Sequence, residues 1–271
     1  MDIKLKDCRH GKMIYNTHDL YMGKALDLYG EYSEMEFAIL GQLIKPGQVI
    51  LDIGANIGCH TVFFAKLVQP KGFVFAFEPQ RIIFQNLCAN VVVNNLTNVF
   101  CEHAGLSEQP GLCYLPTLNY EQDYNFGAIS LEVFAKEQGE PVELKTVDSF
   151  NLAQCHLIKI DVEGMESKVL KGAEQTIKRC RPILFAENDR EENSKDLVEQ
   201  IRSYNYNIYW VITGLFNPNN YFANPENIYE RQCAMNILCL PQEYEQHIDL
   251  PPVEPGYEKW RDFLNLNKGK N

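Results

Sequence analysis

Short apolar runs set between turn residues constrain this chain more than any other feature. Val49–Ile53, Phe73–Phe77, Leu157–Ile160 and Pro182–Glu187 are almost continuously apolar and rich in β-branched and aromatic residues. They are too short for helices. Their lack of polar alternation predicts strands buried on both faces. Helical patterns follow them, from Gly58 to about Val68, over 81–93, over about 165–179 and over 194–204. Such alternation predicts βαβ units, with helices on both faces of a mostly parallel sheet. Asn98–Cys101, Val142–Val147, Ile208–Ile212 and Ala234–Leu240 read as further strands.

The flanking segments are less regular. Ser33 and Glu36 have the spacing of a capping box, which predicts a helix ended by Lys45-Pro46-Gly47. Met35, Ile39 and Leu43 would share one face of it, with Leu40 and Ile44 beside them. Residues 105–150 break the rhythm with glycine, proline and asparagine, and read as an insertion laid over the sheet. The expected organisation is an N-terminal segment and helix over 1–45 that covers the active site. A core domain over 46–240 and a polar tail over 241–271 follow, the tail with a short helix near Trp260.

With 271 residues, the chain can bury a full core without disulfides. Its nine cysteines, an odd number without two-residue spacings, suit a reducing cytoplasm. The N-terminus lacks the apolar stretch of a signal peptide, and no run is long enough to span a bilayer. A net charge of −11 opposes binding to phosphate backbones, so no nucleic-acid partner is expected.

Ligands of open α/β sheets bind beyond the carboxyl ends of the strands. There the first run continues as Asp52-Ile-Gly54-Ala-Asn56-Ile-Gly58. Gly54 and Gly58 bracket a tight strand-to-helix turn. The spacing differs from the Gly-x-Gly-x-x-Gly of pyrophosphate binders. Asp52 would repel a phosphate and suits a cation, such as the sulfonium and amino groups of S-adenosylmethionine. Glu78 ends the second strand, where a carboxylate can accept hydrogen bonds from both hydroxyls of an adenosine ribose.

The run Leu51–Gly58, then Phe77-Glu78-Pro79, then Ile158-Lys-Ile-Asp-Val-Glu-Gly164 with Val169-Leu-Lys-Gly-Ala173, resembles the FkbM family of S-adenosylmethionine-dependent methyltransferases. The likeness spans roughly residues 30–240. It implies the Rossmann-like class I methyltransferase fold, an α/β fold with a mostly parallel seven-stranded sheet, helices on both faces and one antiparallel strand near the end. It also implies methyl transfer, mostly to oxygen, on sugars, glycans or natural products. By position, Asp52, Gly54, Ala55, Asn56 and Gly58 would line the methionine part of the cofactor. Glu78 and Pro79 would meet the ribose, and His103 and Ala104 would lie near the adenine. His60 stands where an aromatic residue is expected, and is counted with the cofactor residues.

Methyl transfer to a hydroxyl needs in-line placement and removal of a proton. Asp161 is the first candidate for that base, with Glu163 and Glu187 next. Asp161 also belongs with the cofactor residues. Lys159 interrupts a central apolar strand and needs a buried partner, Asp161 or a neighbouring acid. Asp161, Glu187 and Asn188 together offer oxygen donors for Mg²⁺ or another hard divalent cation. Tyr29, Tyr32, Asn125, Phe126, Asn188 and Asn219, with Phe216 and Tyr221, are the aromatic and amide candidates for a small-molecule or saccharide acceptor pocket. His18, His156 and His247 read as surface or capping residues. Two rivals stand beside the O-methyltransferase: an N-methyltransferase acting on a side-chain asparagine amide, and a non-catalytic adenosyl-ligand-binding protein. The oligomeric state is left open, a homodimer being one outcome.

Overall fold

The computed structural model describes every residue except 70, 131–138, 246–247, 257 and 269–271. The chain starts with a hairpin of β1 (Ile3–Cys8) and β2 (Gly11–Asn16), then α1 (Met22–Tyr29) and α2 (Glu34–Leu43). The alternating core begins with β3 (Val49–Ile53), α3 (Cys59–Val68), β4 (Phe73–Phe77), α4 (Arg81–Val93) and β5 (Val99–Glu102). The insertion holds β6 (Gly105–Leu106), β7 (Gly111–Leu115) and β8 (Glu140–Lys145). The core resumes with β9 (Leu157–Ile160), α5 (Glu166–Lys171), α6 (Glu174–Cys180), β10 (Ile183–Glu187) and α7 (Glu191–Ser203). It ends with β11 (Tyr206–Gly214) and β12 (Cys233–Pro241), and α8 (Trp260–Lys268) follows.

The main sheet has the order β11-β12-β10-β9-β3-β4-β5. β10, β9, β3, β4 and β5 are parallel neighbours, and β12 runs antiparallel to both β10 and β11. This is the Rossmann-like methyltransferase sheet, with the last strand inserted against the others. β9 lies at its centre and is buried along its whole length, Lys159 included. In register, Lys159 sits between Asp52 of β3 and Phe185 of β10. Two apolar clusters cover the sheet. One gathers Phe37, Leu40, Phe63 and Phe64 from α2 and α3, and the other gathers Val169, Ile177, Val198 and Trp210. Burying each such side chain contributes about 1.5–3 kcal/mol, which offsets the cost of ordering the chain.

Three local expectations differ from the structure. α2 forms, but no side-chain cap holds it: Ser33 is in the left-handed region and the Glu36 carboxylate turns inward to a buried partner. The buried side of α2 is therefore Glu36, Phe37, Leu40 and Leu43, and Met35 is exposed. The helix expected over 165–179 is two helices, because Asp148 accepts from the backbone N–H of Gln175 and Thr176 and caps a new start. The insertion is a separate three-stranded sheet, β6-β8-β7. No described helix is long and apolar enough to cross a membrane.

Candidate active site

The site grows from the turn after β3. Gly54 takes φ +75°, and a Cβ there would lie 1.8 Å from the Asp161 carbonyl oxygen. Only a residue without a side chain lets the two strand ends approach this closely. The N–H groups of Gly54 and Ala55 both donate to the Phe77 carbonyl, so the loop folds over the end of β4. There Glu78 accepts from the backbone N–H of Asn56 and of Gln80, each at 2.9 Å. Burial outweighs these hydrogen bonds and raises the Glu78 carboxyl to about 7. The Gln80 amide donates to the Phe126 carbonyl and draws the 119–129 loop across the opening.

A cavity of about 320 Å³ lies between these elements. Its floor holds Gly54, Ala55, Asn56, Glu78 and Pro79, and Ala104, Asn125 and Ile129 close one side. Asp161, Glu163, Glu187, Asp189 and Arg190 form the other side. The volume and the convergence of polar groups suit a small-molecule site.

Lys159 joins the two halves. Its ammonium is buried, donates to the Gly54 carbonyl at 2.8 Å, and lies 3.4 Å from both Asp52 Oδ1 and Asp161 Oδ2. Burial opposes its charge, but Asp161 and Asp52 prevail, so the ammonium is held protonated. Asp52 is fully buried and also accepts from the Thr61 hydroxyl at 2.6 Å.

The acidic side is crowded. Oxygens of Asp161, Glu163 and Glu187 lie within 4.8 Å of one another. Arg190 pairs with Glu163 and, at 3.3 Å, with Asp189. Glu187 Oε2 is buried and has no hydrogen-bond partner among the described residues. Burial first, then Asp161, Asp189 and Glu163, pushes the Glu187 carboxyl well above the usual range. Burial and Asp161 raise Glu163 to about 7, against the opposing Arg190.

The structure brings many of the expected residues together and places others elsewhere. Gly54, Ala55, Asn56, His60, Glu78, Pro79, Ala104, Tyr32, Asn125, Lys159, Asp161, Glu163 and Glu187 line the cavity. Asp52 and Gly58 do not; Asp52 lies behind the loop on Lys159, and Gly58 packs against Leu87. His103 stacks on Phe84 and meets the Pro79 carbonyl, beside the cavity. Four acceptor-pocket expectations are corrected. Tyr29 is buried against Tyr229 and Phe216. Phe126 is buried between Tyr120 and Tyr124. The Asn219 carbonyl accepts from Arg9, away from the cavity. Asn188 points to the opposite side of β10 and donates to the Glu258 carbonyl at 3.4 Å. It therefore leaves the expected metal set, and Glu163 takes its place in the carboxylate group. Phe216 and Tyr221 also lie outside the lining. His18 pairs with Asp123, and His156 Nδ1 accepts from the Val49 N–H; His247 lies outside the described residues.

Several lining residues carried no sequence signal. Gln80 and Asp19 reach the cavity from loops, and Asp189 and Arg190 follow the strand that carries Glu187. Strand-end position alone could have singled out the last two. Beside the main cavity, a smaller polar pouch of about 50 Å³ is lined by Tyr32, Glu36, His60, Lys159, Glu187 and Asn236, among others.

Residues 52–208 match the family profile described as the Methyltransferase FkbM domain. The 31-O-demethyl-FK506 methyltransferase FkbM of Streptomyces tacrolimicus is 25% identical over 218 residues, 69% of this chain and 83% of that protein. The 2-O-methyltransferase NoeI of Sinorhizobium fredii is 27% identical over 169 residues, 56% of this chain and 68% of that protein. The methyltransferase sdnD of Sordaria araneosa is 30% identical over 157 residues, and the match spans 60% of its length. A solved structure of methyltransferase FkbM from Methylobacillus flagellatus is 18% identical, with a TM-score of 0.48 over 75% of this chain and 50% of that one. The profile begins at Asp52, runs through Glu78, Lys159, Asp161 and Glu187, and covers more than half of the chain. This protein belongs to the FkbM family of S-adenosylmethionine-dependent methyltransferases.

Proposed function

We propose that the protein methylates a hydroxyl group of a sugar, glycan or natural product. One observation carries the reading. An adenosine-type floor, with Glu78 and the 54–56 loop, opens directly onto the carboxylates of Asp161, Glu163 and Glu187. Relatives named for oxygen methylation, on FK506 and at a 2-O position, support the choice of atom. A relative from Haloferax volcanii named hexuronic acid methyltransferase supports a saccharide.

In the proposed reaction the hydroxyl oxygen attacks the methyl carbon in line with sulfur. Bound S-adenosylmethionine would supply the methyl group, its carbon–sulfur bond breaking with the electron pair left on sulfur. Positioning contributes most, since the reacting atoms must sit about 3–3.5 Å apart. Asn56, Glu78 and the 54–55 backbone hold the cofactor. Lys159 keeps Asp161 and the Gly54 loop in fixed relation. Asp161, the base expected from the sequence, is already paired with Lys159. Glu187 has an oxygen without a partner among the described residues, and burial raises its proton affinity, so we assign it the acceptor proton.

The three carboxylates do not fit a divalent ion well. Asp161 and Glu163 already have cationic partners in Lys159 and Arg190, which such an ion would have to displace. Transfer of a labelled methyl group from S-adenosylmethionine to a panel of methyl glycosides and hydroxylated macrolides tests the reading. Label on a glycoside or macrolide oxygen, undiminished after EDTA dialysis, is expected. A 14 Da gain on a protein asparagine, or cofactor binding without transfer to any acceptor, would overturn it.

The ribose role of Glu78 has its own signature. Hydroxyl donors favour the carboxylate and lower its pKa from about 7, so cofactor binding just below pH 7 is expected to release a proton. Affinity should therefore rise as pH increases through neutrality. Calorimetry in two buffers of different ionisation enthalpy measures the release. In Glu78→Gln the release should vanish, with affinity falling roughly 10- to 100-fold for a lost charge-assisted hydrogen bond. Unchanged proton release in Glu78→Gln would refute the assignment.

A further inference from the structure

The pouch beside the main cavity contains a histidine–carboxylate pair outside the chemistry assigned above. His60, at the start of α3, lines both the cavity and the pouch, and its side chain is buried. Its Nε2 lies 3.3 Å from Glu36 Oε2. Phe37 packs edge-on against the ring at 4.7 Å, and Phe64 lies on its other flank. Glu36 is fixed in turn: Asn236 donates to its Oε1 at 3.0 Å and Thr213 at 3.4 Å. Three elements far apart in the chain, α2, β11 and β12, thus converge on the carboxylate that meets the imidazole. A carboxylate that orients a histidine and sets its tautomer is a recurring device for proton acceptance.

The pouch supplies the connection. Glu187 and His60 both line it, with Tyr32, Glu36, Lys159 and Asp161 as the other ionisable groups. Its volume of about 50 Å³ accommodates a water molecule, and its lining offers the several polar partners that a buried water needs. Charge conservation gives the step a purpose. The cofactor sulfonium enters with one positive charge and leaves as a neutral thioether. The proton from the acceptor hydroxyl is the positive charge left behind, beside Glu187, whose Oε2 has no hydrogen-bond partner among the described residues.

We infer that His60, oriented by Glu36, is the terminal acceptor of the hydroxyl proton, which reaches it from Glu187 through the pouch. The acceptor O–H bond breaks as the O–CH₃ bond forms, and the proton passes to Glu187. Glu187 then delivers it by way of a pouch water to His60 Nδ1, Nε2 being committed to Glu36. The imidazolium is stabilised by the Glu36 carboxylate until the proton leaves to solvent after product release. Glu36 is a positioning residue, since it acts only through His60. The inference rests on the proposed hydroxyl methylation and adds the route of its proton.

Two measurements decide it. In the full chain with ¹⁵N-labelled histidine and bound S-adenosylmethionine, the His60 ring should carry its hydrogen on Nε2 and leave Nδ1 bare. A hydrogen on Nδ1 in that complex overturns the proposal, whatever the acceptor is. The second uses the glycoside or macrolide that takes up label in the assay above. His60→Gln should lower kcat roughly 10²- to 10⁴-fold and shift the acid limb of its pH profile, which Glu187 then sets alone. Glu36→Gln, which keeps the hydrogen bond from Asn236, should move that limb to lower pH and reduce kcat less. This second variant serves if His60→Gln fails to fold. An unmoved acid limb in the folded variants overturns the proposal. If the wild type labels no acceptor, the proposed hydroxyl methylation has failed, and the ring-hydrogen measurement still decides the state of His60.

Discussion

Replacing Lys159 with methionine is expected to destabilise the protein by about 3–5 kcal/mol, the cost of leaving a buried charge without its partner. Methionine fills similar space, so the loss is electrostatic. The Asp52 carboxylate is fully buried and, among the described residues, would keep only the Thr61 hydroxyl. Asp161 is less affected, because its side chain is 44% exposed. The Gly54 carbonyl would lose its donor, and cofactor binding should disappear with the loop geometry. Adding Asp52→Asn removes the stranded charge and should restore much of the stability but none of the turnover. Urea unfolding near neutral pH, with cofactor titration alongside, measures both. A single variant within about 1 kcal/mol of the wild type, the ordinary range for an exposed pair, would show that the ammonium is not what holds Asp52.

Gly54→Ala is expected to weaken cofactor binding by more than about 100-fold, since misplacing a binding group by 1 Å can cost that much. The new Cβ would lie 1.8 Å from the Asp161 backbone oxygen, so either the loop or the end of β9 must move. Gly47→Ala is the matched control. Gly47 also has a positive φ, at +87°, but a Cβ there meets nothing within 4 Å. It should cost about 1–2 kcal/mol of backbone strain and leave cofactor affinity intact. Equal affinity losses in the two variants would assign the effect to strain rather than collision.

Much of the frame was legible because burial on both faces imprints itself on short runs. Val49–Ile53 and Phe73–Phe77 could hardly be anything but interior strands of a parallel sheet. Lys159 was legible for the opposite reason, as a charge that such a strand tolerates only with a partner. Glu36 was misread. Its spacing from Ser33 is that of a capping box, and its actual partners, Thr213 and Asn236, lie 177 and 200 residues away. No local pattern reports contacts of that range. Asn188 was a different kind of miss. Successive strand residues point to opposite faces, so Glu187 and Asn188 could not both face the cofactor. Phe126 and Asn219 sit in connecting segments and Tyr29 is the last residue of α1, and their side-chain directions depend on packing that periodicity does not encode.

The inward turn of Glu36 bears on what counts as the working unit. The family profile runs from 52 to 208, yet Glu36, Thr213 and Asn236 all lie outside it. A chain cut back to those limits would retain the glycine turn, Lys159 and the acidic strand ends. It would lose α2, most of β11 and all of β12, and with them the wall behind His60. Phe63 and Phe64 would also be stripped of the Phe37 and Leu40 side of their cluster. The limits of the family profile and the limits of the packed unit around His60 therefore differ in this protein.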